Sequence, residues 1–99
     1  MIQNMINKII TGNCLELLKE IPNESVDMTF ADPPFNLKKK YTNYRDSLEF
    51  KEYLDWCDKW IFEMVRITKP TGSIFVHNIP KWLSYYNKFL NEYANFKHW

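Results

Sequence analysis

Residues 31–37 read Ala-Asp-Pro-Pro-Phe-Asn-Leu and directly follow the run Val-Asp-Met-Thr-Phe at residues 26–30. The apolar run predicts a buried strand that ends at Ala31. Two adjacent prolines cannot continue a central strand, because neither has the N–H group that a ladder needs. The sequence therefore predicts a stiff turn at the carboxyl end of a strand, with Asp32 at its start and Phe35 near its end. In open α/β sheets, ligands bind at that edge.

Strand and helix patterns alternate on the amino-terminal side of this turn. A β-branched run at residues 8–11 predicts a short strand. Asn13, with Glu16 three residues later, predicts the cap of a helix over residues 14–20. The first half of the chain thus predicts the order strand, helix, strand.

The same alternation continues beyond the turn. Apolar residues at helical spacing predict an amphipathic helix over residues 50–65, which a turn at 68–72 ends. Residues 73–77 predict a third strand, Pro80 begins another helix whose buried face reaches Tyr93, and residues 96–99 predict the start of a fourth strand. The order β-α-β-α-β-α predicts part of a doubly wound parallel α/β sheet.

The composition limits the class of protein. The 99 residues allow one small domain, and a net charge of +1 gives no overall electrostatic footprint for nucleic acid. Cys14 and Cys57 lack CxxC spacing, which predicts free, buried thiols in a reducing cytoplasm. His77 and His98 have no ligand partners nearby, so no metal site is predicted. No segment predicts a signal peptide or a membrane span.

The residues of the turn suit one chemical problem. The exocyclic amine of adenine or cytosine is a poor nucleophile, because its lone pair is delocalised into the ring. The Asp32 carboxylate and the Pro33 carbonyl could accept the two amine hydrogens, and Phe35 could stack on a base taken out of the duplex. The alternative interpretation is a proline-rich turn in which Asp32 caps a neighbouring backbone N–H.

The sequence around this turn resembles a known family. Residues 18–37 resemble the amino-terminal part of the site-specific DNA amino-methyltransferases, whose catalytic motif is Asp/Asn/Ser-Pro-Pro-Tyr/Phe/Trp. Thr-Gly-Asn-Cys-Leu-Glu at residues 11–16 and Lys-Pro-Thr-Gly-Ser at 69–73 resemble two further segments of that family. These enzymes transfer a methyl group from S-adenosylmethionine to adenine N6 or cytosine N4 in double-stranded DNA, many of them in restriction–modification systems.

The resemblance implies a Rossmann-like, S-adenosylmethionine-dependent fold and assigns roles to the turn. Asp32 and the Pro33 carbonyl bind the target amine, Pro34 fixes the loop, and Phe35 stacks on the base. Asp32 and Asn13 are the implied contacts to the cofactor, although Asn13 fits a helix cap equally well. An aspartate at the first motif position favours adenine N6 over cytosine N4. Methylation at cytosine C5 is disfavoured, because it needs a cysteine nucleophile and the turn has none.

A basic run follows the turn. Lys38, Lys39 and Lys40 precede Tyr41 and Arg45. Such a run either forms a solvated loop or contacts DNA phosphates beside the flipped base.

The glycines limit how much of such an enzyme the 99 residues can hold. Gly12 and Gly72 are the only glycines, so the Phe-x-Gly-x-Gly cofactor loop is absent. The order resembles the permuted class, in which the catalytic motif comes first. We therefore expect residues 1–99 to be the amino-terminal catalytic part of a methyltransferase domain, without its recognition region. Methylation of RNA or of a protein amide stays open as a second interpretation, and a catalytically inactive fragment as a third.

Overall fold

The computed structural model describes residues 2–36 and 49–97. A short 3-10 helix, Ile2–Asn4, precedes helix α1 (Cys14–Leu18), strand β1 (Val26–Ala31), helix α2 (Phe50–Ile67), strand β2 (Thr68–Val76) and helix α3 (Pro80–Leu90). β1 and β2 pair in parallel and make a two-stranded sheet. The prediction of a parallel α/β arrangement is confirmed, and so are the bounds of β1.

Helix α2 supplies most of the core, because its apolar residues recur at helical spacing and form one buried stripe. Trp82 and Tyr86 of α3 pack against that stripe and are each 2% exposed. The buried residues of α2 are Tyr53, Cys57, Trp60, Ile61, Met64 and Ile67. These rings and aliphatic side chains bring α2 and α3 together beneath the sheet.

The two faces of the sheet differ. Alternate residues of a strand point to opposite faces, and Ala31, Ile74 and Val76 pack against the helical core. The opposite face carries Phe30, which is 62% exposed, and its partner across the ladder, Phe75, which is 50% exposed. One face of the sheet is therefore covered by helices, and the other presents apolar side chains.

The predicted end of the helix at residues 68–72 is confirmed, because α2 ends at Ile67. The prediction of a turn there is wrong, because these residues already lie within β2. One residue separates Val26 from Met28 in β1, whereas four residues separate their partners, Thr68 and Ser73, in β2. The extra residues bulge out of the ladder. A Cβ atom on Gly72 would lie 2.6 Å from the Asp27 carbonyl oxygen. Glycine is needed there for this close approach of the two backbones.

The strand predicted at residues 8–11 is wrong. These residues have no regular structure, and the side chain of Ile9 is fully exposed. β-branched residues favour a strand only where neighbouring strands and side chains pack against them, and residues 8–11 pair with no strand of the described chain. Helix α1 is also shorter than predicted and ends at Leu18.

Two further expectations are corrected at the helix ends. Cys14 is exposed, because it lies in the first turn of α1, whereas Cys57 is buried and both thiols are free. Tyr93 lies beyond the end of α3 and is 49% exposed. Residues 95–97 have no regular structure, and the rest of the predicted fourth strand lies outside the described residues.

Within residues 2–36 and 49–97, two kinds of feature are absent. No helix there is long and apolar enough to cross a bilayer. No group of three or more metal-ligating side chains comes together there either.

Candidate active site

Asp32 and His77 stand side by side where the two parallel strands end. Ala31 pairs with Val76, and the His77 amide donates a hydrogen bond to the Ala31 carbonyl oxygen at 2.9 Å. The next residue of each strand therefore emerges at the same edge of the sheet. His77 Nδ1 lies 2.8 Å from Asp32 Oδ1.

The Asp32–His77 pair faces solvent and contacts the ring of Phe35, which is partly buried. The side chains of Asp32 and His77 are 58% and 62% exposed. The ring of Phe35 meets the His77 imidazole edge to face, with 5.4 Å between the ring centroids. A carboxylate, an imidazole and an aromatic ring thus form one open, polar and aromatic surface, which can accept hydrogen bonds and stack against a planar ligand.

The contact between His77 and Asp32 was not predicted from the sequence, in which His77 was a candidate only as a metal ligand. The sequence nevertheless contains a signal for this contact. When two neighbouring parallel strands end at the same level, the polar residues that directly follow them lie side by side. That inference needs the exact strand register, which the bulge in β2 makes hard to predict.

The inner side of the turn is held by buried donors. The Tyr53 hydroxyl donates to the Pro34 carbonyl oxygen, and Trp82 Nε1 donates to the Phe35 carbonyl oxygen at 2.7 Å. Both donors belong to the helical core. The described hydrogen bonds thus engage the two carbonyls that follow Pro33, and none of them engages that of Pro33 itself.

A buried polar network supports this anchor. Asn78 Nδ2 donates to the Tyr86 hydroxyl at 3.0 Å, and the Tyr86 hydroxyl donates to that of Tyr53 at 3.2 Å. Since Tyr86 has only one hydroxyl hydrogen, the Cys57 thiol, 3.3 Å away, must be the donor in their contact. Hydrogen bonds therefore run in one direction, from Cys57 through Tyr86 and Tyr53 to the Pro34 carbonyl.

Burial makes the acidic groups of this network hard to ionise. Desolvation raises the pKa of Tyr53 to about 12 and that of Cys57 to about 11, and it also raises the pKa of Tyr86. Each group therefore keeps its proton at neutral pH, which the directed chain of hydrogen bonds requires.

Asn13 is placed as a helix cap. Its side-chain oxygen accepts from the Leu15 amide at 2.9 Å, which confirms the predicted cap of α1. The described contacts do not join Asn13 to the turn at Asp32. The predicted DNA-contacting residues lie outside the described residues: Lys38, Lys39, Lys40, Tyr41 and Arg45.

Comparison with known proteins identifies the family. A family model described as DNA methylase, of the N6/N4 type, matches residues 26–99, which is most of the chain and includes the whole turn. The chain belongs to the N6/N4 DNA methylase family. The resemblance seen in the sequence is thereby confirmed.

Individual relatives of the chain are also methyltransferases. The type II methyltransferase M.BamHI of Bacillus amyloliquefaciens is 50% identical over 95 residues, covering 95% of this chain and 22% of that protein. M.HpaI of Haemophilus parainfluenzae is 35% identical over 89% of the chain and 28% of its own length. The DNA adenine methyltransferase YhdJ of Escherichia coli K12 is 39% identical over 76% of the chain and 26% of its own length. The chain thus spans about a quarter of the length of these relatives.

Proposed function

We propose that this chain carries the amine-binding part of an S-adenosylmethionine-dependent DNA methyltransferase site, with adenine N6 as the first candidate target and cytosine N4 as the second. One observation carries the proposal: Asp32 is exposed at the carboxyl edge of two parallel strands, on a turn whose later carbonyls are held by the core. The family and the type II methyltransferases among the relatives support the reaction class.

Asp32 and the Pro33 carbonyl hold the two hydrogens of the target amine. Two fixed acceptors favour a tetrahedral nitrogen, whose lone pair is then available for attack. Prolines at 33 and 34 bring no N–H group that would compete for these acceptors. Phe35 stacks on the extruded base, as the chemistry of a base outside the duplex requires.

The methyl donor has fewer candidate partners in this chain. When bound, S-adenosylmethionine supplies an electrophilic methyl group on a sulfonium. Asn13 fits such a ligand only in part, because its side-chain oxygen is engaged by Leu15. Its amide nitrogen can still donate to a hydroxyl or carboxylate. Asp32 is the other proposed contact, at the point where donor and amine must meet.

The proposal also concerns the fold. We propose that β1 and β2 belong to a larger doubly wound sheet and that residues 1–99 are the amino-terminal catalytic part of the domain. Parallel sheets are normally covered on both faces, whereas Met28, Phe30 and Phe75 are at least half exposed on the open face. Such a face suits a sheet that is packed on both sides.

Between the two bases, Asp32 and the similarity to the DNA adenine methyltransferase YhdJ favour adenine. The family model, which joins N6 and N4 enzymes, keeps cytosine N4 as the second candidate. An amine in RNA or protein would present the same chemistry on a different substrate, and an inactive fragment would transfer no methyl group at all.

The test uses the chain itself and a graft, in which the 99 residues replace the matching segment of M.BamHI. Each is incubated with duplex DNA and methyl-labelled S-adenosylmethionine. We expect label in DNA from the graft, and a loss of at least about 100-fold for Asp32→Ala, because a required acceptor is gone. Asp27→Ala is the matched control, since that carboxylate lies on β1, the strand that leads into the turn, and is 88% exposed.

The products separate the candidate substrates. The methylated nucleoside, identified after digestion, shows which amine the grafted loop accepts when the rest of the site comes from M.BamHI. N4-methylcytosine as the product would make cytosine N4 the first candidate target. A folded graft that transfers no methyl group, or Asp32→Ala as active as Asp27→Ala, would overturn the proposal.

The basic run has its own test. We propose that Lys38, Lys39 and Lys40, with Tyr41 and Arg45, contact DNA beside the turn. Replacing the three lysines with alanine is expected to weaken DNA binding by the chain and to reduce its dependence on salt, because fewer counterions are released. The control replaces three exposed lysines of the helices with alanine, Lys51, Lys59 and Lys88, which changes the net charge equally. Equal salt dependence of the two variants would contradict the assignment.

A further inference from the structure

We propose that His77 is a positioning residue for Asp32: its Nδ1–H holds carboxylate oxygen Oδ1 and leaves Oδ2 directed to the target amine. The inference rests on the proposed function and adds to it a residue that the Asp-Pro-Pro-Phe motif does not contain. Three observations carry it, namely the contact itself, the backbone that sets it and the ring that confines the imidazole.

The contact assigns the proton on His77. An ionised carboxylate can only accept hydrogen bonds, so at 2.8 Å from Asp32 Oδ1 the Nδ1 atom must carry a hydrogen. In the neutral imidazole, Nε2 then has none. A hydrogen bond of this kind restricts the rotation of the Asp32 side chain, which at 58% exposure has little packing to restrict it.

The position of His77 is set by the sheet and not by the turn. Its amide donates to the Ala31 carbonyl oxygen at 2.9 Å, one residue before Asp32. The two side chains therefore start from neighbouring, hydrogen-bonded backbones. A partner fixed in this way can hold the carboxylate at one place while the turn accepts a base.

Phe35 confines the imidazole from the other side. Its ring lies edge to face with that of His77, at 5.4 Å between centroids and 63° between planes. His77 therefore contacts both the amine acceptor and the proposed stacking ring. Small errors in the placement of reacting groups cost up to about 100-fold in rate, so a residue that fixes both has a measurable effect.

The kinetic test uses two substitutions in the graft. His77→Asn keeps an N–H donor near the position of Nδ1, whereas His77→Phe keeps a ring beside Phe35 and has no donor. We expect His77→Phe to lower kcat about 10- to 100-fold with the KM for DNA within about twofold. His77→Asn should recover most of that loss. Equal kcat for His77→Phe and the unmodified graft, or no recovery in His77→Asn, would overturn the proposal.

A second measurement does not depend on activity. In the 99-residue chain, the ¹⁵N shifts of His77, recorded where the imidazole is neutral, report which nitrogen carries the hydrogen. We expect the Nδ1–H form in the wild-type chain and a mixture of both forms in Asp32→Ala. A tautomer that Asp32→Ala leaves unchanged would overturn the positioning role, whereas a folded graft without methyl transfer would overturn the proposed function.

Discussion

The inner and outer sides of the turn after β1 are built differently. On the inner side, the backbone carbonyls of Pro34 and Phe35 accept hydrogen bonds from Tyr53 and Trp82, which are 0% and 2% exposed. On the outer side, the Asp32 side chain is 58% exposed and has a single described partner, His77. The backbone of the turn is thus anchored to the core, and its functional side chain is not.

This difference separates stability from chemistry. Hydrogen bonds between the partly buried turn and the core are costly to lose, because the group left without a partner is shielded from water. A hydrogen bond between two exposed side chains contributes little to stability, because water competes for both groups. Substitutions on the inner side should therefore lower the free energy of unfolding, and substitutions on the outer side should change activity alone.

Trp82→Ala tests the inner side with the largest expected effect. It removes a buried ring and the donor to Phe35, and we expect the free energy of unfolding to fall by about 3–5 kcal/mol. Trp82→Phe keeps a ring but loses the donor, and its effect should be about half as large. Urea denaturation, followed by circular dichroism, measures both. A loss below about 1 kcal/mol for Trp82→Ala would show that the inner side does not carry the stability.

Tyr53→Phe removes one oxygen from the inner side. The Pro34 carbonyl and the Tyr86 hydroxyl each lose a partner, so we expect a loss of about 1–2 kcal/mol in the same denaturation experiment. Tyr85→Phe makes the same chemical change on a residue of α3 that is 44% exposed, and its effect should stay below about 0.5 kcal/mol. Equal effects of the two substitutions would contradict the assigned anchor.

High pH should lower the stability that the contacts on the inner side of the turn provide. Burial raises the pKa of Cys57 from 9.0 to about 11 and that of Tyr53 from 10.0 to about 12. The folded chain holds these protons more tightly than the unfolded chain, so this stabilisation is complete below pH 9 and is lost as the pH rises toward 12. Denaturation midpoints from pH 8 to pH 11.5 should fall, and Cys57→Ala should delay the fall. Midpoints that stay constant to pH 11.5 would contradict the buried network.

Asp32→Asn has the smallest expected effect on stability. The side chain is exposed, and an amide oxygen can still accept from His77, so the free energy of unfolding should change by less than about 0.5 kcal/mol. The same substitution in the graft should lower methyl transfer strongly, because the amide carries no charge to attract the amine hydrogens. If Asp32→Asn lowered the free energy of unfolding as much as Tyr53→Phe, the proposed difference in stability between the two sides of the turn would be contradicted.

Much of the fold could be predicted because its signals are local. Helix α2 repeats its buried residues at helical spacing, and β1 is an apolar run ended by two prolines. Residues 8–11 show the limit of such signals. Their β-branched side chains favour a strand, but Ile9 is fully exposed and the segment has no strand partner in the described part of the chain.

The candidate site could be predicted only in part for the same reason. Asp32 and Phe35 lie in the chain just after the end of β1, so the signals that predict this strand end also predict their position. His77 is 45 residues from Asp32, and the bulge around Gly72 decides which residue of β2 ends beside Ala31. Conformational preferences of single residues carry no information about such a register.

Local signals in the sequence predict a strand, a proline-stiffened turn and residue types suited to an exocyclic amine, because the prolines and the apolar pattern restrict the chain locally. Only in the folded chain do Tyr53 and Trp82 bind the carbonyls of that turn, and only there does His77 contact Asp32. These contacts join residues far apart in the chain. They form only when the packing of α2 and α3 and the pairing of β1 with β2 fix their distances.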